Sequence, residues 1–196
     1  GGNPLYAEQY VEALGESDGS PPGLPDTVRA ILAARLDGLA AEDRHLLQDA
    51  AVVGQVFWPS VVAAEDGVER LRALERRQLV RRSRRSSVAG EPEYGFVHAL
   101  LRDVAYEQIP RAQRMDKHIA AAGWIEALGR PEDHAELLGH HYQQALALAR
   151  AAGRDLGPVV PQARAALALA GDRARALYAF AAAERFYSDA VTLWPQ

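Results

Sequence analysis

The sequence predicts a mainly α-helical protein with one small β-hairpin near its middle. Apolar residues recur at helical spacing through most of the chain, and stretches rich in Gly and Pro interrupt these runs. Only one region places strand-prone residues on both sides of a polar turn. With 48% hydrophobic and 24% charged residues, the chain has enough apolar material to build a folded core.

The front of the chain is typical of short helices separated by breaks. Residues 4–14 carry an apolar helical stripe, and the Gly-, Ser- and Pro-rich stretch 15–25 follows as a linker. A second helix opens at Pro25, and further helices are predicted over 41–53, 59–65 and 67–79. Gly54 marks the end of the helix over 41–53. In the helix that opens at Pro25, the residues predicted to face inward are Val28, Ile31, Leu32, Leu36 and Leu39; in the helix over 67–79 they are Val68, Leu71, Leu74 and Leu79.

The β signal consists of two strand-prone runs, residues 79–83 and 94–97. The polar stretch 84–93 joins them, so we predict a hairpin with a long turn. Short helices followed by a hairpin are typical of a winged-helix unit, in which the hairpin is the wing. We therefore predict a linker segment over residues 1–24 and a winged-helix-like domain over 25–110.

The rest of the chain is predicted to be helical. Helices are expected over 99–109, 111–128 and 132–152, and a helical pair over 162–176 and 178–193 follows a loop. If Arg164 is position 1 of a 34-residue repeat, small, apolar and aromatic residues match a tetratricopeptide repeat. The matching residues are Leu167, Ala170, Gly171, Ala174, Ala183, Tyr187, Ala190 and Pro195.

Small residues in this helical pair let the two helices approach, and an aromatic residue is expected to fill the groove beside them. We thus predict a tetratricopeptide-like helical domain over residues 111–196. Since one repeat cannot bury its own face, further repeats are expected to follow. The start of the chain, a loop entering a helix, likewise suggests a piece of a longer protein.

Composition excludes several classes of function. The net charge is −4, which disfavours a domain built mainly to bind nucleic acid. The absence of Cys excludes disulfides, Cys-ligated zinc and thiol catalysis. No apolar run is long enough for a membrane span and no signal peptide opens the sequence, so we predict a cytoplasmic protein without a membrane partner.

Catalytic and metal-binding patterns are absent from the sequence. It contains neither a GxxxxGK[ST] phosphate loop nor a GxSxG nucleophile turn. His134, His140 and His141 lie close together, but their spacing differs from HExxH, and we interpret them as partly buried or surface histidines. No catalytic residue, no metal site and no cofactor of this chain are predicted.

The wing carries the most basic stretch, which includes Arg81, Arg82, Arg84 and Arg85. These residues fit contact with DNA phosphates, contact with an acidic surface of another domain, or a solvated face. Strand alternation predicts Arg82 and Arg84 on one side and the other two on the opposite side.

His98 is predicted to lie where a strand passes into a helix. There it could meet an anion near the first amides of the helix, or it could cap or pack.

Four blocks, taken in order, resemble the region after the ATPase core of bacterial STAND proteins, the signal-transduction ATPases with numerous domains. The resemblance covers nearly the whole chain and is closest to members linked to adenylate or guanylate cyclases and to large LuxR-type regulators. The blocks are GGNPLYAEQY, LPDTVRAILAARLDGL with LLQDAAVVGQVFW, RRSSVAGEPEYGFVHALLRDVAYEQIP, and RPEDHAELLGHHYQQALALARAAG.

This resemblance implies a nucleotide-sensing role for two residues in a longer parent protein. Pro4 matches the Pro of a GxP motif that touches bound nucleotide, and His98 matches the His of an MHD motif that senses the ADP phosphate. Ala99 departs from the Asp of that motif. The parent is expected to bind ATP or ADP with Mg²⁺, whereas the phosphate loop and cyclase residues of the family are absent here.

The first hypothesis is thus a non-catalytic regulatory and protein-interaction segment. It would couple an intramolecular ATPase core to an output domain, such as a cyclase or a transcription factor, and its helical repeats would bind a protein or small-molecule ligand. The alternative is a DNA-binding winged-helix transcriptional regulator.

Overall fold

A computed structural model describes residues 26–62, 66–129, 131–155 and 157–194. Pro4, Pro195 and the predicted helix and linker of segment 1–24 lie outside the described residues. Contacts between Cα atoms divide the chain into two units at the Leu39–Ala40 boundary, and we describe each unit by itself. The domain boundary expected near residue 110 falls within the second unit and stays a prediction.

Helix α1 (Asp26–Asp37) belongs to the first unit. Leu32, Leu36 and Leu39 are buried, as predicted, because their spacing of four and three residues places them on one helical stripe. Ile31, however, is 48% exposed, so its predicted inward position is wrong. Successive side chains of a helix are rotated by about 100° about its axis, so Ile31 lies off the stripe that begins at the next residue, Leu32.

The second unit begins with what we call the front body, residues 41–107. Its elements in chain order are α2 (Ala41–Val53), β1 (Val56–Phe57), α3 (Pro59–Val62), α4 (Gly67–Arg76), β2 (Val80–Arg82), β3 (Tyr94–Phe96) and α5 (Ala99–Glu107). Helix α2 ends as predicted at Gly54, whose φ of 150° is one that L side chains rarely adopt.

The remainder of the second unit, residues 111–191, forms what we call the rear hairpins. Its helices are α6 (Arg111–Ala127), α7 (Ala135–Ala152), α8 (Val160–Ala176) and α9 (Phe180–Val191), with short 3₁₀ turns at Pro131–His134 and Gly157–Val159. Each helix packs against the next one along the chain. Helix α7 ends at Gly153, which adopts a left-handed conformation with φ of 62°.

The sheet of the front body has three short antiparallel strands in the order β1-β3-β2. The predicted hairpin is confirmed, because β2 pairs with β3 in a register that sets Val80 opposite Phe96 and Arg82 opposite Tyr94. Strand β1 was not predicted. Its two residues are too few to show the period-two alternation of a strand, and it is defined by its pairing with β3.

The core of the front body is built from large side chains. The Phe57 ring on β1 contacts both aromatic residues of the central strand β3, with ring centroids 6.3 Å from Tyr94 and 5.5 Å from Phe96. Helix α4 buries Leu71 and Leu74, as predicted. Val68, in the first turn of α4, is 40% exposed, so its predicted inward position is wrong. The buried stripe of α4 instead runs from Leu71 back to Gly67.

The core of the rear hairpins is built largely from small residues. Gly171 on α8 lies so close to α9 that a Cβ atom there would meet the Tyr187 ring at 2.5–2.9 Å. Gly139 on α7 is similar, because an added Cβ would lie 3.1 Å from the Cβ of Ala170. In the last helical pair, α8 therefore approaches α9 closely at Gly171, with the Tyr187 ring beside it.

The fold-class prediction is confirmed at the level of a mostly helical chain with a small antiparallel sheet. Among the helices of the described ranges, none combines the length and the hydropathy that crossing a membrane requires.

Candidate functional site

His98 lies where β3 gives way to helix α5, as predicted. It is the N-cap residue of α5, with extended backbone angles of φ −133° and ψ 136°. Its carbonyl oxygen accepts a hydrogen bond from Leu101 N at 3.1 Å. The side chain is exposed and, within the described part of the chain, makes no capping hydrogen bond. The His98 side chain therefore neither caps the helix nor packs into the core, and the imidazole is exposed beside the start of α5.

The four arginines of the wing are all exposed. Arg81 and Arg82 lie on β2, whereas Arg84 and Arg85 follow the end of that strand. The predicted alternation across the strand is therefore wrong for the last two, because the extended pairing stops at Arg82. No ion pair joins any of these four side chains to another described residue.

Glutamates beside the wing bind backbone amides. Glu75 accepts a hydrogen bond from Arg82 N at 2.8 Å. Glu93 accepts bonds from Ser87 N at 3.0 Å and from Ser87 Oγ at 2.8 Å. Burial alone would raise the pKa of Glu93, but its hydrogen bonds to Ser87 and Ser83 outweigh this effect and lower the pKa. The wing arginines thus present positive charge that these carboxylates do not pair.

A buried polar cluster joins helices α5, α6 and α7. The Tyr106 hydroxyl lies 3.0 Å from His118 Nε2, and His118 Nδ1 lies 3.0 Å from His141 Nδ1. His118 is 1% exposed and His141 is fully buried. His140 lies at the edge of this cluster, with its ring centroid 5.7 Å from that of His141. We call these four residues the junction cluster.

Two arginines hold the junction cluster in place. Arg102 Nε donates to the carbonyl oxygen of Ala51 near the end of α2, at 2.9 Å. Arg114 donates to the carbonyl oxygens of Glu107, the last residue of α5, and of Ile109 just after it, at 2.8 and 2.9 Å. These cations therefore satisfy carbonyl groups that helix ends leave without partners. Both guanidinium groups also lie over the Tyr106 ring, 5.3 and 4.7 Å from its centroid.

Burial lowers the pKa of both buried histidines. The pKa of His118 falls to about 4, first because of desolvation and then because His140, Arg102 and Arg114 repel a second positive charge. The pKa of His141 falls to about 3, again mainly through desolvation. Desolvation and Arg102 also lower the pKa of His140. Both buried rings are therefore neutral at physiological pH.

The histidines noted in the sequence are separated by the fold. His140 and His141 join the cluster, but His134 lies before α7 with its ring 6.5 Å from Trp58. No group of three metal-ligating side chains converges within the residues described.

His118 was missed in the sequence because it stands alone there. The signal that could have found it is its helical spacing from three other buried residues of α6, which are Met115, Ala122 and Ile125.

Of the two residues that the resemblance associates with nucleotide, His98 is placed at an exposed helix start and Pro4 lies outside the described residues. The wing arginines lie on the same body as His98, whereas the junction cluster connects that body to the rear hairpins. No protein-family model matches the chain, and neither a curated protein nor a solved structure shows significant similarity to it.

Proposed function

We propose that the chain is a non-catalytic regulatory segment of a larger nucleotide-switched signalling ATPase. Its front body, a winged-helix-like unit, would contact the ATPase core through His98. Its rear hairpins, a tetratricopeptide-like array, would bind a protein or small-molecule ligand. A ligand can drive such a switch only if it binds one of two conformations better than the other.

The order of elements in the front body supports a winged-helix assignment. Helix α2, strand β1, helices α3 and α4, and the β2–β3 hairpin follow one another in the order of that motif. The central position of β3 between β1 and β2 also agrees with it. Arg70 on α4 pairs with Asp43 on α2 at 3.1 Å, which fastens the helix that would face DNA to its own body.

The packing of α8 on α9 supports a tetratricopeptide-like assignment of the rear hairpins. Gly171 is buried against Tyr187, and the small residues Ala183 and Ala190 of α9 are buried as well. Tyr187 also donates a hydrogen bond from its hydroxyl to Asp172 at 2.8 Å, which fixes the orientation of the ring.

The exposure of His98 carries the proposal. A histidine at a helix start has amide groups beside it that attract anions, and His98 has no capping bond that would occupy it. Helix α5 packs against α2 and, through Tyr106, contacts His118 on α6. Helix α5 therefore connects His98 to the rear hairpins, so a displacement at His98 would be transmitted through this one helix.

The test uses the intact parent protein. We expect the coding region upstream of Gly1 to contain a GxxxxGK[ST] phosphate loop, and we expect His98→Ala to weaken ADP retention and raise basal output. His45→Ala is the matched control, since His45 is an exposed histidine on α2. If His98→Ala leaves nucleotide occupancy and output at the wild-type level, the sensor role is wrong.

The exposed wing arginines favour a second candidate function, DNA binding through phosphate contacts. This alternative predicts that the chain shifts duplex DNA in a gel at low salt. Replacing Arg81, Arg82, Arg84 and Arg85 with Gln should then abolish the shift, while Arg150→Gln, another exposed arginine, should preserve it. A chain that shows no shift at low salt is not a DNA-binding protein of this kind.

A further inference from the structure

The facing Nδ1 nitrogens of His118 and His141 have room for only one proton between them. Their Nδ1 atoms lie 3.0 Å apart, so one must donate and the other accept. We propose that this pair is a proton-operated latch, which holds α6 against α7 while both rings are neutral and releases them when both rings are protonated. The latch needs only residues on α5, α6 and α7 and is independent of the regulatory role proposed above.

The neutral pair satisfies its inner hydrogen bonds. If His118 carries its proton on Nδ1, it donates to His141 Nδ1 and accepts from the Tyr106 hydroxyl through Nε2. His141 then carries its proton on Nε2, a buried atom that has no partner among the described residues. The reverse assignment keeps the same single proton between the rings. The closed state thus accommodates one proton between the two Nδ1 atoms in either assignment and excludes a second.

Two added protons are incompatible with the closed geometry. An imidazolium ring donates through both nitrogens, so a doubly protonated pair would set two N–H groups against each other across the 3.0 Å gap. It would also bury two like charges beside each other, far from water. Separation of α6 from α7 relieves both penalties, because each ring then gains access to solvent.

The charged groups around the pair add to this effect. Arg102 from α5 and His140 from α7 disfavour protonation of both rings, and Arg114 from α6 disfavours protonation of His118. Three carboxylates on α2, α5 and α6 have other partners: Asp49 pairs with Lys117, Asp103 with Arg102, and Asp116 with Arg154. No carboxylate among the described residues hydrogen bonds to either ring to stabilise an imidazolium.

The pH window follows from the direction of the shifts. The folded pKa values, about 4 for His118 and about 3 for His141, lie below the ordinary value of 6.5. The closed junction is therefore fully stabilised above pH 6.5 and loses stability as the pH falls through this window, because the open state binds more protons. Because opening takes up two protons, the equilibrium constant for opening rises by at most about 100-fold per pH unit, a limit reached only well below pH 6.5.

The experiment measures amide hydrogen exchange of the whole 196-residue chain at pH 7.5 and 5.5, corrected for the intrinsic rate. We expect opening of α6 and α7 to increase by about 100-fold while α2 stays protected, since each ring contributes about tenfold over this interval. Equal acceleration in α2 and in α6–α7 would mean general acid unfolding and would overturn the latch.

The variants separate the histidine pair from other acid effects. His118→Gln combined with His141→Gln should abolish the hundredfold response, whereas each single variant should retain about tenfold. His45→Gln should keep the full response, because this exposed histidine of α2 lies outside the junction cluster. A double variant that keeps the wild-type response would overturn the proposal.

A second measurement does not depend on whether the double variant folds. Nitrogen-15 NMR of the histidine rings distinguishes neutral tautomers from imidazolium in the wild-type chain. At pH 5.5 the folded form should show two neutral, hydrogen-bonded rings, assigned to His118 and His141 from their contacts with Tyr106. Two imidazolium rings in the folded form would contradict the latch.

Discussion

The front body and the rear hairpins bury apolar surface in opposite ways. In the front body, Phe57, Tyr94 and Phe96 fill the space between sheet and helices and are at most 1% exposed. In the rear hairpins, fully buried alanines such as Ala163 and Ala170 let helices approach closely. We therefore expect opposite changes to destabilise the two regions: lost volume in the front body and added volume in the rear hairpins.

The connection between the two regions is different again, because it is largely polar and aromatic. Trp124 on α6 stacks on Trp58 with ring centroids 5.3 Å apart and donates a hydrogen bond from Nε1 to Ser60 Oγ at 2.9 Å. Lys117 on the same helix pairs with Asp49 on α2. These contacts hold helix α6 on the front body with directional bonds, whose loss affects orientation as well as stability.

The largest effect should come from removing volume in the front body. Phe57→Ala deletes a fully buried ring that contacts two other aromatic residues, so we expect a loss of about 3–5 kcal/mol in the free energy of unfolding. Urea unfolding followed by circular dichroism measures it. Val56→Ala is the control, since Val56 is 39% exposed on the same strand. Equal losses for the two variants would mean that the buried Phe57 ring does not stabilise the front body more than an exposed side chain of the same strand does.

A smaller loss should come from adding volume to the rear hairpins. Gly171→Ala places a methyl group at 2.5–2.9 Å from three atoms of the Tyr187 ring, which must move away from its bond with Asp172. We expect the free energy of unfolding to fall by about 1–3 kcal/mol, although alanine is the better helix former.

The control for this substitution is Gly123→Ala. Gly123 lies within α6, is exposed, and an added Cβ there would meet nothing within 4 Å. Without a clash, the higher helix propensity of alanine sets the outcome. We therefore expect the free energy of unfolding to rise by about 0.5–1 kcal/mol in the same urea experiment. If Gly171→Ala raises the free energy of unfolding as Gly123→Ala does, close approach does not limit the rear hairpins.

The smallest effect should come from the connection between the regions. Trp124→Phe keeps an aromatic ring beside Trp58 but removes the donor to Ser60, so we expect a loss of about 0.5–1.5 kcal/mol. Ser60→Ala and the double variant complete a cycle whose coupling energy isolates the hydrogen bond. A coupling energy of zero would show that the hydrogen bond between Trp124 and Ser60 does not stabilise the connection.

Sequence patterns predicted the helices and the hairpin of the second unit well. Apolar spacing located α6, α7, α8 and α9 to within a few residues, because a helix repeats its buried face every three to four residues. Predictions at the edges of buried stripes were weaker. Ile31 and Val68 are apolar residues next to a buried stripe, yet both are exposed. Hydrophobicity alone does not show how a helix is rotated about its axis relative to the core.

The candidate site was only partly predictable. His98 was identified by its place between a strand and a helix, and its position at the start of α5 is confirmed. His118 was not identified, because its partners Tyr106 and His141 lie 12 and 23 residues away in the chain. No local spacing rule connects residues on three different helices.

Three features could be inferred from the amino-acid order: the helical periodicity, the hairpin, and the small residues that bring α8 close to α9. These features depend on residues near one another in the chain, so local pattern is sufficient to specify them. The folded structure was needed to reveal strand β1, the burial of His118 and His141, and the pairing of their nitrogens. Those features depend on which helices and strands meet, and the free energy that selects them comes from packing between distant segments.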